Sequence, residues 1–253
     1  MLSDGSIDIL YINNKMNWRA IPYDYKLLKG DPMLILSMMV PFILWALMHL
    51  LFPFLEVLFM NQWSVDISPY YRQAGTFFLM LIPMMMGMVY GFILLDERDE
   101  GIITAISVTP TSKSGYLKLR MGIPLGLSIV FIILFLLLLG LTGILGVLQV
   151  IVISILVSSQ SLILLLFLGA FADNKVMGMA ISKAFGIFLI GPLLDYALPA
   201  PYNWSGAYSP LFWAGRSLLA DSHLNFWLYA GITLLFQGSL IWILFRKFTT
   251  RSD

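Results

Sequence analysis

Asp96-Glu97-Arg98-Asp99-Glu100-Gly101-Ile102-Ile103-Thr104-Ala105-Ile106-Ser107-Val108-Thr109-Pro110-Thr111-Ser112-Lys113-Ser114-Gly115-Tyr116-Leu117-Lys118-Leu119-Arg120 lies between two apolar runs, about Gln73 to Leu95 and about Tyr116 to Leu141, each long enough to cross a bilayer. The stretch holds four of the fourteen acidic residues of the chain and four of its fifteen basic ones. A polar segment of that density must sit in water, so the two runs beside it open onto the same face of a membrane. Ile102, Ile103, Ile106 and, less well, Val108 recur at helical spacing beside the acidic turn Asp96 to Glu100. That pattern predicts a short amphipathic helix with its carboxylates in the first turn, where the helix dipole favours them, and Pro110 ends it.

Composition agrees. Hydrophobic residues make up 59% of the 253, charged residues only 11%, and the mean hydropathy is +0.87, more apolar surface than a water-soluble core of this size can hide. The chain contains no cysteine, which removes disulfides and thiolate metal sites from consideration. Residues 1–17 are polar, without the apolar core or small-residue cleavage pattern of a signal peptide.

Outward from the loop, toward the chain start, span two begins after a polar connection from Glu56 to Arg72, and span one runs from about Pro32 to Leu55 with Pro41 inside it. Asp31-Pro32 opens span one, an acid and a proline in the places a helix start favours. Before it, Trp18 to Gly30 mixes aromatic, aliphatic and basic residues, as expected of a helix lying among lipid headgroups. Toward the chain end, Thr142 to Gly146 makes a tight turn into span four, about Val147 to Ala172, whose Ser154, Ser158, Ser159, Gln160 and Ser161 should face other helices rather than lipid. Span five, about Val176 to Leu198, carries Gly186 and Gly191-Pro192, which permit close contact or a break, and Asp195 near its end, a candidate intramembrane acid whose position favours an exposed interfacial place. The segment Pro199 to Asp221 is broken by prolines and rich in aromatics, including Trp204, Tyr208 and Trp213, and predicts an interfacial or dipping hairpin. Span six covers about His223 to Phe245, followed by Arg246-Lys247 and a polar tail.

Thirteen of the fifteen cations fall on the face of the acidic loop; Arg72 and Arg216 fall on the other. By the positive-inside rule both termini and the loop are expected in the cytoplasm. Within span two, Met84, Met85 and Met88 beside Pro83 supply soft side chains suited to varied apolar ligands, although methionine is also ordinary filler.

No phosphate-binding glycine loop, nucleophile elbow or zinc-helix motif occurs, so no enzyme is expected and the chain has no nucleotide motor of its own. Its cations follow membrane sidedness, which leaves nucleic-acid binding without support. Mid-span charge is sparse, a poor match for an ion-coupled secondary carrier; a membrane protein of immunity or assembly that transports nothing stays open.

The succession Glu97, Glu100-Gly101, an apolar stretch, Thr109-Pro110, Ser112, Tyr116-Leu117 and Lys118, placed between spans two and three, resembles the cytoplasmic loop of permeases of the ABC-2 type transporter family. The resemblance extends more weakly over the whole length. It implies an all-α membrane protein of six transmembrane helices forming one permease domain, with an N-terminal interfacial helix, a cytoplasmic coupling helix and an extracellular aromatic hairpin. It further implies that ATP and Mg are bound by separate ABC ATPase subunits docked on that coupling segment, which includes Gly101 and Pro110, with Glu97, Arg98 and Glu100 as polar contacts and Ile102, Ile103 and Ile106 inserted into a groove of the partner. A second permease subunit, identical or not, would complete a pathway in which Met84, Met85, Met88, Trp204, Tyr208 and Trp213 are candidates for lining or gating. Export of an amphiphile such as a drug, antimicrobial peptide or lipid-like molecule is the expected activity.

Overall fold

The computed structural model describes residues 32–102, 112–140 and 145–250. The described residues are all helical or irregular, and six helices are long and apolar enough to cross a membrane, from Met38–Trp63 to His223–Thr250. The predicted interfacial helix, the tight turn into span four up to residue 144, and Ile103, Ile106 and Pro110 lie outside the described residues.

Span one consists of α1 (Pro32–Ala46), a π turn (Leu47–Leu51) and α2 (Phe52–Trp63). Pro53 has no N–H for the carbonyl of His49, and the Phe52 N–H reaches back five residues to the Leu47 carbonyl, which widens the helix there. The helix outruns the expected end near Leu55 and continues to Trp63, where Ser64 adopts φ 53° and closes it. Asn61 and Gln62 are thus exposed helix residues rather than a loop. Span two is α3 (Tyr71–Asp99), span three α4 (Ser112–Leu138) and span four α5 (Val147–Phe171).

Spans two and four form the centre: 72% and 67% of their apolar windows are buried, against 11% for span one and 22% for spans five and six. Lipid offers no hydrophobic drive between helices, so close approach of small residues has to supply the attraction. A Cβ at Gly87 would stand 2.5 Å from the Ser161 carbonyl oxygen, and one at Gly91 2.5 Å from Leu168 Cδ1. The polar run of span four is buried as expected: Ser154, Ser158, Gln160 and Ser161 are fully enclosed. Ser154 and Ser161 return their hydroxyls to carbonyls of their own helix, Val150 and Ser158, at 2.6 and 2.8 Å. Within this run Ser159 reaches another helix: it bonds Gln237 of span six, whose amide nitrogen donates to the Pro210 carbonyl at 3.4 Å.

Span five is α6 (Lys175–Phe185) and α7 (Ile187–Ala197), parted at Gly186. Asn174 caps it by accepting from the Met177 N–H at 3.0 Å, so Lys175 opens the helix, one residue before the expected start. The aromatic segment that follows is mostly helical: a 3-10 turn (Tyr202–Tyr208) and α8 (Pro210–Leu218), whose Leu211, Phe212, Ala214 and Leu218 are buried. Its placement answers a backbone need. Pro192 cannot donate to the Phe188 carbonyl, and the Ser209 hydroxyl donates to that oxygen instead, at 2.6 Å; Tyr208 donates to the Ile187 carbonyl at 2.7 Å. Ser209 also caps α8 by accepting from the Leu211 N–H at 3.2 Å. Ser209→Ala keeps the Cβ and removes both bonds, so it should lower thermal stability in detergent by roughly 1–3 kcal/mol. Ser239→Ala, whose exposed hydroxyl meets only the Phe236 carbonyl of its own helix, should stay within about 0.5 kcal/mol of the parent. Equal losses would show that Ser209 is not sustaining the proline-freed carbonyl.

Span six is α9 (His223–Thr250), which carries Arg246 and Lys247 within the helix rather than in a tail, with Phe248 fully buried.

Candidate functional site

Span two does not stop where its apolar run stops. One further turn, Asp96 to Asp99, continues the helix, and Gly101, at φ 74°, ends it in the left-handed conformation that glycine adopts without strain. The Gly101 N–H donates to the Arg98 carbonyl at 2.9 Å, and the Glu100 N–H to the Asp96 carbonyl at 2.9 Å. Asp96, Glu97 and Asp99 therefore close span two rather than forming the first turn of the next helix, while residues 103–111, on which most of the expected coupling helix falls, lie outside the described residues.

Successive helix residues turn by about 100°, so three in a row point at three different neighbours. Asp96 pairs with Lys175 at the start of span five, 2.8 Å away and roughly 40% exposed on both sides. Glu97 faces span three, where it bonds the Tyr116 hydroxyl and pairs with Arg120, whose Nε lies 3.0 Å from Oε2; the paired side chains are only 12% and 13% exposed. Arg98 donates to the Gly169 and Ala172 carbonyls at 2.8 Å each and lies over the Phe248 ring at 5.5 Å. Those two carbonyls belong to the end of span four, where a helix leaves oxygens unpaired and its dipole favours a cation. A single turn thus holds spans three, four, five and six. The exposed Asp96–Lys175 pair contributes little, about 0–1 kcal/mol, whereas the enclosed Glu97–Arg120 pair is costly to break from one side.

The expected docking residues divide accordingly. Glu100, Gly101 and Ile102 project outward and are exposed, while Glu97 and Arg98 are engaged within the chain. The pathway candidates do not gather. Met84 is buried in the core of the subunit, Met88 packs against that core and Met85 is half-buried. Trp204, Tyr208 and Trp213 lie in the segment between spans five and six, at the other end of the molecule; Trp204 and Tyr208 are exposed and Trp213 donates from Nε1 to the Ala207 carbonyl at 3.0 Å.

That end holds an arrangement the sequence reading missed. Asp195 is not an exposed acid: Arg216 of α8 binds it through Nε at 3.1 Å to both oxygens and through a terminal nitrogen at 2.7 Å, and the side chains are 13% and 11% exposed. Asn203 Nδ2 adds a third donor at 3.2 Å. The guanidinium lies 4.0 Å from the Trp204 ring centre and 4.6 Å from that of Phe212. Burial opposes the charge on Arg216, but the bond and the charge of Asp195 outweigh it and raise its pKa above the ordinary value. A signal existed, since Arg216 is one of only two cations on its face and demands an anion near it. Tyr116 and Arg120, four residues apart on one helix face, likewise announced a shared acidic partner. Among the described residues no three His, Cys, Asp or Glu side chains come together as metal ligands.

Comparison with known proteins falls on this architecture. A family described as Fluoroquinolones export permease protein Rv2686c-like matches residues 24–245, which takes in nearly all of the six spans. The Fluoroquinolones export permease proteins Rv2686c and MT2760 of two Mycobacterium tuberculosis strains are each 26% identical over 224 residues, covering 87% of this chain and 89% of theirs. No solved structure matches. On a match spanning the junction, the broken fifth span and the aromatic segment alike, the chain belongs to the Rv2686c-like fluoroquinolone export permease family, as a multi-pass membrane protein.

Proposed function

We propose that the chain is the membrane subunit of an ATP-driven exporter of amphiphilic, aromatic compounds of the fluoroquinolone kind, with the hydrolysing subunit a separate protein docked on the segment that begins at Glu100. The observation that carries this reading is the turn Asp96 to Asp99, which joins an exposed acidic step to four spans through paired side chains. A push on Glu100 and Ile102 reaches spans three, four and six through the enclosed contacts of Glu97 and Arg98, and span five through the weaker Asp96–Lys175 pair. The segment would be cytoplasmic, as the cation distribution requires. A second permease subunit, of the same or another chain, would complete the pathway.

The relatives named as fluoroquinolone export permeases support the substrate class, and the exposed Trp204 and Tyr208 offer aromatic faces to it. The enclosed ionisable groups Glu97 and Arg120 at one end and Asp195 and Arg216 at the other are paired within the chain, which speaks against an ion-coupled carrier built on them. Glu100→Lys reverses the charge of an exposed docking residue without touching the junction. It should bring fluoroquinolone accumulation in expressing cells back to that of cells without the chain, while the amount of inserted protein is unchanged. Full export by that variant, or export by the purified chain in vesicles with no ATPase present, would sink the proposal.

A further inference from the structure

We infer that the end of span six beside the junction is a binding site for an acidic phospholipid, with Arg246 and Lys247 on its phosphate and Trp242, Ile243 and Phe171 along its acyl chain. The inference does not rest on the proposed function.

The described cations on the side of the junction fall into two groups. Arg98, Arg120 and Lys175 are taken up by the junction itself, on carbonyls or on carboxylates. Lys118, Lys183, Arg246 and Lys247 are exposed, and none of them pairs with a carboxylate among the described residues. Of these four, only Arg246 and Lys247 are seated on rings. The Arg246 guanidinium lies 4.7 Å from the Trp242 ring centre, and Lys247 Nζ lies 3.7 Å from that of Phe171, the last residue of span four. A ring holds a cation in place through its quadrupole but carries no net charge to cancel it. Two neighbouring positive charges are therefore positioned and left without an anion.

The surface beside them is apolar. Trp242 precedes Arg246 by one helical turn, about 6 Å nearer the membrane centre, and Trp242, Ile243 and Phe171 are 58%, 52% and 37% exposed. A tryptophan at the edge of the apolar layer, with cations just outside it, matches the order in which a phospholipid presents its chain and its phosphate. A soluble phosphate would use the cations and leave the rings and Ile243 bare. A zwitterionic headgroup brings its own amine to the phosphate and gains less from the pair, so an acidic lipid is the occupant that satisfies both parts of the surface.

The site borders the junction. Phe248, next to Lys247, is fully buried, carries Arg98 over its ring, and packs so closely on Gly169 that a Cβ there would stand 2.8 Å from Phe248 Cδ2. A phosphate held by Arg246 and Lys247 would fasten the ends of spans four and six beside Arg98, so the bound lipid should stabilise the subunit.

The full chain, stripped of lipid in detergent, is titrated with phosphatidylglycerol and with phosphatidylcholine of the same chain length, bound lipid being counted by native mass spectrometry. Each cation near a lipid phosphate strengthens binding about fivefold, so phosphatidylglycerol should be preferred by up to about thirtyfold. Arg246→Gln with Lys247→Gln should abolish that preference, and with it the rise in melting temperature that phosphatidylglycerol gives the parent. Arg246→Lys with Lys247→Arg keeps both charges and should keep the preference. Lys118→Gln with Lys183→Gln removes two exposed cations that stand over no ring and should leave it unchanged. A parent that does not distinguish the two lipids, an equal loss in the Lys118 and Lys183 variant, or competition by glycerol phosphate as strong as that of the intact lipid overturns the site. If the Arg246→Gln, Lys247→Gln chain does not fold, the parent's preference, the glycerol phosphate competition and the Lys118 and Lys183 variant still decide the question.

Discussion

Gly87→Ala is expected to destabilise the protein by about 2 kcal/mol or more, although alanine is the better helix former by about 1 kcal/mol. The added Cβ would stand 2.5 Å from the carbonyl oxygen of Ser161 and 2.9 Å from its Cα, both backbone atoms of span four. No side chain can swing aside there, so spans two and four must move apart along the contact that buries them both. With typical folding stabilities of about 5–15 kcal/mol, a loss of this size is large. Gly231→Ala supplies the control: the Cβ at that position meets nothing within 4 Å, and the same exchange should be neutral or stabilising by up to about 1 kcal/mol. Thermal unfolding in detergent, read by the monodisperse fraction after heating, checks both. If Gly87→Ala behaves like Gly231→Ala, the two central spans are not in backbone contact and the packing described above is wrong.

The second large effect concerns the pair at the opposite end. Arg216→Met removes the partner of a carboxylate that is only 11% exposed and leaves Asn203 as its remaining donor. Breaking an enclosed ion pair from one side costs about 3–5 kcal/mol, much of it the penalty of the charge left behind. Asp195→Asn should cost less, because Arg216 keeps its faces against Trp204 and Phe212 and its stem can reach toward water. In the double variant no lone charge is left, and stability should recover by about 1–3 kcal/mol relative to Arg216→Met. A double-mutant cycle with strictly additive losses would mean that the two side chains do not sense each other. This pair is one of the bonds fastening α7 to α8.

These two results probe features of different legibility. Gly87 was visible in the sequence as a small residue among methionines, yet nothing local says which helix it meets. Asp195 and Arg216 are twenty-one residues apart, and as separate readings one was assigned to the interface and the other only to a face of the membrane. Their union depends on how the chain turns between Pro199 and Ser209, where Tyr208 and Ser209 bond the Ile187 and Phe188 carbonyls and Gly206 packs on Gly191. The acidic step was misplaced for a similar reason. A run of carboxylates favours a helix start by itself, but here Lys175, Arg120 and Tyr116 neutralise or bind it from other spans and let it finish a helix instead.

What the amino-acid order settled alone is the class and the count of crossings: apolar runs of bilayer length and a lopsided distribution of cations are properties of each segment, legible without knowing its neighbours. What only the folded chain decided is which faces meet. Spans two and four became the centre, Glu97 and Arg98 became internal ties while Glu100 stayed outside, and span five became two helices parted at Gly186. The reason is that in lipid every span is apolar enough to sit beside any other, so pairing rests on close backbone approach and on a few polar bonds between residues far apart in the chain.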